Sequence, residues 1–332
     1  MALSTTTLHP LIFQPRFKER VWGGRKLESL YGKPLPASAR IGESWEITDR
    51  PGDESIIANG PHAGRSLRWL MEQHGRELLG SARPAAAGRF PLLVKILDAQ
   101  DVLSLQVHPP EAKAAALGGE PKSEMWFFTD TTPDAVIYAG MRRGVDRAEF
   151  ERRTAEGSVA GCIHRIRVRA GDVMFLPSGR VHALGAGCVL FEIQQNSDTT
   201  YRVFDWNRTG LDGKPRELHV AQALESVDFG DVEPALAAGA DGATGGPVVE
   251  CLVDDALFRV EKVTLAAGSV IESCHPAPVV VGLVSGVLIV EGQGHTVIMR
   301  AGGFCLVPAN HPASARTGDG AVFLRAIAGT GG

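Results

Sequence analysis

AGDVMFLPSGRVHAL, residues 170–184, carries the clearest architectural signal in the chain. Gly171-Asp172 opens a short apolar run, and Pro177-x-Gly179 closes it with a turn that delivers His182 to the entry of the next strand. Short runs of Val, Ile, Leu and Phe punctuated by Gly and Pro mark a domain built from many short strands. The same grammar continues outward in both directions. PLLVKIL (91–97), VLSLQVH (102–108), MWFFT (125–129), DAVIYAG (134–140), IHRIRV (163–168) and CVLFEIQQ (188–195) each read as a strand. Helical periodicity is confined to 66–80, with Ser66 as N-cap and Gly80 as stop, and to 145–157 and 219–227.

The opening stretch has an echo. AGGFCLVPANHPASA (301–315) repeats the Ala-Gly, the apolar run and the Pro at the same offset from Gly. Aligned in this way, His182 falls opposite Ala313 and Gln106 opposite Ser273, and the His108-Pro109 pair recurs as His275-Pro276. An internal repeat of a small β unit is the simplest account. Between the copies, GDVEPALAAGADGATGGPVV (230–249) is poor in large apolar residues and reads as a linker. A boundary is therefore expected near 240, with a larger unit over 1–240 and a smaller all-β unit over 241–332 that has lost the polar side chains of the first.

Bulk properties narrow the function. The 332 residues suffice for two domains, and a net charge of −4 without a long basic run argues against nucleic acid or a membrane surface as partner. No apolar run is long enough to span a bilayer, and MALSTTTLHPLIF lacks the pattern of a secretory signal. Five scattered cysteines with no CxxC pair suit a reducing, cytoplasmic setting with free thiols.

The chemistry gathers in the first unit. In an extended strand residues i and i+2 share a face, so Ser104, Gln106 and His108 point one way while Leu103, Leu105 and Val107 point the other. Polar tips facing an interior need partners or a ligand. Lys122-Ser123-Glu124 opens the strand at 125–129, and His182 follows the Pro-x-Gly turn. Two imidazoles, a carboxylate and an amide make a mixed N/O set that suits Zn²⁺ with an open position, and also Mn²⁺, Fe²⁺ or Co²⁺. In LFEIQQNSDTTYRVFDWNR (190–208), Glu192, Gln194 and Asn196 alternate on one face as if lining a wet pocket, with Asp198 and Arg202 beyond. Lys95 interrupts an apolar run and is either a solvent-facing residue of an edge strand or part of that pocket. His62, His74, His164, His219 and His311 have no such context and read as surface or capping residues. Trp22, Trp45 and Trp126 read as core, with Trp45 beside Glu43 and Glu46 also placed to edge a pocket, and the charges over 147–153 as a solvated helix face.

The Gly-Asp…Pro-x-Gly-x-x-His pattern resembles the second motif of the cupin superfamily, and Gln106, His108 and Glu124 resemble the first with 109–123 inserted. Taken together, GESWEI (42–47), PLLVKILDAQDVLSLQVHP, KSEMW, LPSGRVHAL and EIQQNSDTTYRVFDWNR resemble the type I mannose-6-phosphate isomerases in their short bacterial form, from about His9 to Phe229. The helical insertion domain of long-form members is missing here.

The resemblance implies a mainly β chain with two cupin-type jelly-roll barrels and a few short helices, the N-terminal barrel being catalytic. It implies a zinc-dependent aldose–ketose isomerase that interconverts mannose 6-phosphate and fructose 6-phosphate through an enediol. One Zn²⁺ per chain would be held by Gln106, His108, Glu124 and His182. The family's catalytic arginine matches Arg202, and Lys95, Lys122 and Asp198 match residues of its pocket. Arg202 and Lys122 are assigned to charge stabilisation and Glu192 to orientation. The base remains open among Glu192, Lys95 and Lys122. The implied partner is a small sugar phosphate, and the chain a monomer or weak homo-oligomer. Two alternatives stand beside this: a cupin oxygenase, which would favour three histidines, and a non-catalytic sugar-phosphate-binding bicupin.

Overall fold

A computed structural model describes residues 8–237 and 247–329. The boundary expected near 240 lies outside the described residues. Strands dominate, as the Gly and Pro punctuation predicts. The first unit is two antiparallel sheets face to face. The six-stranded sheet runs Val173–Leu176, Glu124–Thr131, Cys188–Gln195, Leu92–Ala99, Ile41–Ile47, Arg16–Gly24. The five-stranded sheet runs Tyr201–Phe204, Leu105–Val107, His182–Leu184, Val136–Met141, Ile163–Arg167. Leu97, Trp126, Phe128 and Leu190 of the first sheet meet Ile137, Ala139 and Leu184 of the second in one apolar cluster inside the sandwich.

The six-stranded sheet is buried on both faces. Its outer side chains, among them Val94, Ile96, Met125, Phe127, Phe191 and Ile193, pack with Phe258, Val280, Phe304 and Leu306 of the second unit. This explains why Leu92–Ala99 shows no polar alternation: all eight residues are buried, and the strand is central. The edge-strand reading of Lys95 is thereby overturned. Each large apolar side chain buried in this way contributes about 1.5–3 kcal/mol.

The three expected helices fall close to their places, and Lys26–Tyr31 and the single turn Glu111–Ala114 join them unforeseen. Leu67–Leu79 begins at Ser66, whose hydroxyl accepts from the Trp69 N–H, and ends at Gly80. Arg147–Ala155 begins at Asp146 and buries Phe150, and Val220–Ser226 is the third. The two latter helices cover the outer face of the five-stranded sheet, where Phe150 and Ala223 join Leu105, Val107 and Ala183. Ile41–Ile47 and Arg16–Gly24 are further strands that no long apolar run marks in the sequence.

The repeat is structural as well as sequential. Val173–Leu176 and His182–Leu184 correspond to Phe304–Val307 and Ala313–Arg316 in the second unit. In the first unit His182 pairs in register with Gln106, and in the second Ala313 pairs with Ser273. His275, opposite His108 in the repeat, turns its Nδ1 to the Ala277 N–H at 3.1 Å. Among the described residues no helix is long and apolar enough to cross a membrane, and all five cysteines are free.

Candidate functional site

The two sheets bring His108, Glu124 and His182 together inside the first sandwich. Glu124 begins a strand of the six-stranded sheet, while His182 opens a strand of the five-stranded sheet and His108 follows another. His108 Nε2 lies 3.5 Å from one Glu124 oxygen and His182 Nε2 lies 3.3 Å from the other. All three side chains are buried. Each imidazole is oriented from behind: His108 Nδ1 donates to the Thr199 carbonyl at 2.8 Å, and His182 Nδ1 to the Arg180 carbonyl at 2.9 Å. That leaves both Nε2 atoms facing the carboxylate, the arrangement by which backbone carbonyls fix metal-ligating histidines.

Burial, reinforced by the Lys122 ammonium, pushes His108 down to about 3, so its ring is neutral near pH 7. Burial opposes ionisation of Glu124, but Lys122 and His108 outweigh it and hold the carboxyl well below its usual range. Lys122 Nζ lies 2.5 Å from Glu124 Oε2 and 3.1 Å from His108 Nε2. Both Glu124 oxygens are buried without a well-directed hydrogen bond, a costly state for a carboxylate. A divalent cation among these three side chains would satisfy them, so the residues fit a metal.

Gln106 joins the group through its amide nitrogen, 3.3 Å from His182 Nε2, with its oxygen turned toward the Ser104 hydroxyl at 3.4 Å. A half-turn of the amide would present the oxygen instead. The face-sharing of Ser104, Gln106 and His108 is thus as expected from the alternation.

A cavity of about 560 Å³ opens above this group, with Gln106, Lys122 and Trp126 in its lining. Lys95, Glu192, Asp198 and Arg202, all singled out from the sequence, line it too. One row crosses four neighbouring strands in register: Trp126, Glu192, Lys95 and Trp45. Within it the Trp126 indole donates to Glu192 Oε2 at 3.0 Å, and Lys95 Nζ lies 3.0 Å from Glu192 Oε1. Lys95 is also 3.8 Å from Glu43 Oε2, and Glu43 accepts from Arg20 Nε at 2.7 Å and the Trp45 indole at 2.6 Å. Burial opposes the Lys95 charge, but Glu192, Glu43 and Asp198 outweigh it and raise its pKa. Lys95 is therefore held as an ammonium by these carboxylates.

Arg202 pairs in register with Gln106. Its Nε donates to the Ser104 hydroxyl at 3.2 Å and its Nη1 to the Glu217 carbonyl at 2.8 Å. Among the described residues no carboxylate pairs with it in a salt bridge, and burial together with Arg216 lowers its pKa.

Two expectations need correction. Gln194 and Asn196 do not line the cavity: their amides donate to the Ser197 and Phe90 carbonyls and tie the chain together. His219 stands at the N-cap of Val220–Ser226, in keeping with a capping residue, and it also lines the cavity and accepts from the Arg202 N–H at 3.4 Å. His311 is buried, with Nδ1 donating to the Ala309 carbonyl at 2.7 Å. The sequence reading missed Arg20 and Arg216 on the cavity wall, where Glu43, noted beside Trp45 at a pocket edge, also lies. Alternation offered a signal for Arg20: Lys18, Arg20 and Trp22 are spaced by two, as are Glu43 and Trp45.

Fold and site together define a cupin with a candidate metal centre of two histidines and a carboxylate at the floor of a charged cavity. The family model for the phosphomannose isomerase type I catalytic domain matches residues 11–135. The chain is 34% identical over 293 residues to a mannose-6-phosphate isomerase of Bacillus subtilis, covering 88% of each. It is 40% identical over 227 residues to a probable mannose-6-phosphate isomerase of the same organism, covering 68% of this chain and 70% of that one. The crystal structure of the mannose 6-phosphate isomerase from Bacillus subtilis superposes with a TM-score of 0.87 at 31% identity, over 96% of this chain and 99% of that one. The chain belongs to the type I phosphomannose isomerase family.

Proposed function

We propose that the chain is a zinc-dependent isomerase interconverting mannose 6-phosphate and fructose 6-phosphate through an enediol. The observation that carries this reading is the His108–Glu124–His182 group beneath a cavity whose wall holds Lys95, Lys122, Glu192 and Arg202. His108, Glu124 and His182 would hold the ion, with the Gln106 amide oxygen as a fourth ligand. The mixed N/O set suits zinc with an open position, and bound zinc would supply a Lewis acid for the sugar oxygens at C1 and C2. The ion is assigned to residues 1–240. None is assigned to 241–332, where Ser273 and Ala313 stand in place of Gln106 and His182.

The chain's own groups divide the remaining work. Arg202, with no carboxylate partner among the described residues, is free to meet negative charge on the substrate, and its planar fork suits an oxyanion or a phosphate. Lys122, beside Glu124 and His108, stands where charge develops as the C2 proton leaves. Glu192 is oriented by Trp126 and Lys95 and so holds a substrate hydroxyl or receives a proton from a defined direction. Lys95, held cationic, is ill suited to be the base, which leaves Glu192 and Lys122 for the transfer between C2 and C1. Asp198, exposed at the mouth, is assigned to substrate binding.

The test is a coupled assay for fructose 6-phosphate formed from mannose 6-phosphate, before and after chelation and with zinc restored. Activity lost to the chelator and recovered with zinc is the expected result. A zinc-loaded protein without turnover would leave a cupin with another substrate or a binding role.

A further inference from the structure

Beyond strand Tyr201–Phe204, which carries Arg202, the chain makes a small hairpin that no part of the foregoing chemistry uses. Thr209 and Pro215 bridge across it, and the Gly210 N–H donates to the Lys214 carbonyl at 2.6 Å. Gly210, Leu211 and Asp212 at its tip and Arg216 at its return all line the cavity. Leu211 is 61% exposed, so the tip projects over the mouth rather than packing into the protein. The hairpin is the cavity's roof, and what fixes it is visible at its root.

Asp205 is buried there and accepts from both guanidiniums that bracket the hairpin. Arg208 gives Nε at 3.1 Å and Nη2 at 3.0 Å, and Arg216 gives Nε at 2.7 Å and Nη2 at 2.5 Å. Trp206 and Asn207, next in the chain, have φ of 56° and 54°, a left-handed conformation that non-glycine residues rarely adopt. Contacts to the loop that precedes Leu105–Val107 hold that turn: the Trp206 indole donates to the Leu103 carbonyl at 2.7 Å, and Arg208 Nη1 donates to the Val102 carbonyl. Arg202, Arg208 and Arg216 crowd one another, and Asp205 is the buried carboxylate among them. Without its charge the guanidiniums repel, Arg216 loses the carboxylate that ties it down, and Arg208 is left with Asp101 and the Val102 carbonyl alone.

We infer that Asp205 is a positioning residue: through Arg208 and Arg216 it holds the hairpin Thr209–Arg216 as the roof of the substrate cavity and sets substrate affinity rather than the rate of the chemical step. The inference rests on the isomerase reading. Contacts made equally in the ground state and the transition state appear in KM and leave kcat in place.

The experiment uses the full-length, zinc-loaded protein and compares wild type with Asp205→Asn, Asp205→Glu and Leu211→Gly. Steady-state kinetics give kcat and KM for mannose 6-phosphate, and calorimetry gives its Kd. Asp205→Asn is expected to raise KM and Kd about tenfold with kcat within about threefold of wild type, and Asp205→Glu to recover part of the loss. Leu211→Gly leaves the clamp and the fold untouched, so it serves if Asp205→Asn does not fold. It is expected to raise KM about threefold at constant kcat. Wild-type KM and Kd in the variants, or a loss confined to kcat, would overturn the inference while leaving the isomerase in place. A wild-type protein that neither binds nor turns over mannose 6-phosphate would remove the isomerase reading and this inference with it.

Discussion

Lys95 and Glu192 face each other across neighbouring strands, Nζ to Oε1 at 3.0 Å, with both side chains buried in the cavity wall. A buried pair of this kind costs desolvation on both sides, and removing one partner leaves the other charge uncompensated. Lys95→Met is therefore expected to destabilise the protein by about 3 kcal/mol. The double variant Lys95→Met/Glu192→Gln should recover much of that loss, because no isolated carboxylate remains. Urea denaturation of the two variants is the measurement. A loss below about 1 kcal/mol for the single variant would show that the pair is not desolvated as the geometry implies.

The candidate metal centre of His108, Glu124 and His182 is tested by its ion content. Wild-type protein purified without chelator should carry close to one divalent ion per chain by elemental mass spectrometry. His182→Ala and Glu124→Gln should each lower that content below about a tenth, because a site with three buried protein ligands loses its geometry when one is removed. Gln106→Ala should lower it less if the amide is a supplementary ligand. Full metal content in His182→Ala would move the site elsewhere.

Much of this candidate centre is legible in the sequence, and the reason is local. Gln106 and His108 lie two apart on one extended segment, and the Gly-Asp…Pro-x-Gly-x-x-His spacing spells a complete strand and turn, so both signals survive in a linear reading. The repeat aligned Ala313 with His182 and Ser273 with Gln106, and the structure adds that each pair is in register within its own unit, Ala313 with Ser273 as His182 with Gln106. What escaped depends on tertiary neighbours. The row Trp126–Glu192–Lys95–Trp45 joins residues from four stretches of chain, and nothing in PLLVKIL says that Lys95 will find two carboxylates. The six-stranded sheet packs against a second unit, which erases alternation and makes a central strand look the same as a buried helix or an edge. The roof hairpin carries turn residues, Gly210 to Pro215, whose chemistry predicts a loop but not what the loop covers.

Arg202 separates binding and chemistry from stability. Its hydrogen bonds go to the Ser104 hydroxyl and the Glu217 carbonyl, so truncation breaks no ion pair among the described residues. Arg202→Ala should keep the thermal midpoint within a few degrees and retain bound metal, yet lower kcat by about 10²–10³-fold, the usual loss for one preorganised donor to a developing anion. Arg202→Lys should restore only part, since an ammonium does not reproduce the fork. Unchanged turnover in Arg202→Ala would remove the residue from the reaction.

Acid stability tests the Glu43 cluster. Burial disfavours the Glu43 carboxylate, but Lys95, Arg20 and the Trp45 indole outweigh that and bring its pKa from 4.5 to about 2. A carboxyl whose folded pKa is depressed contributes stability that is fully present above its unfolded pKa and lost as pH falls through the folded one. The window is therefore pH 4.5 down to about 2. Across it the contribution should decline by about 3 kcal/mol, at roughly 1.4 kcal/mol per pH unit. Glu43→Gln removes the titrating group, so the difference in unfolding free energy between wild type and this variant should shrink as pH falls toward 2 and stay flat above 5. Denaturant midpoints at a series of pH values would show it. A difference that did not vary with pH in this window would mean that Glu43 is not held ionised by its neighbours.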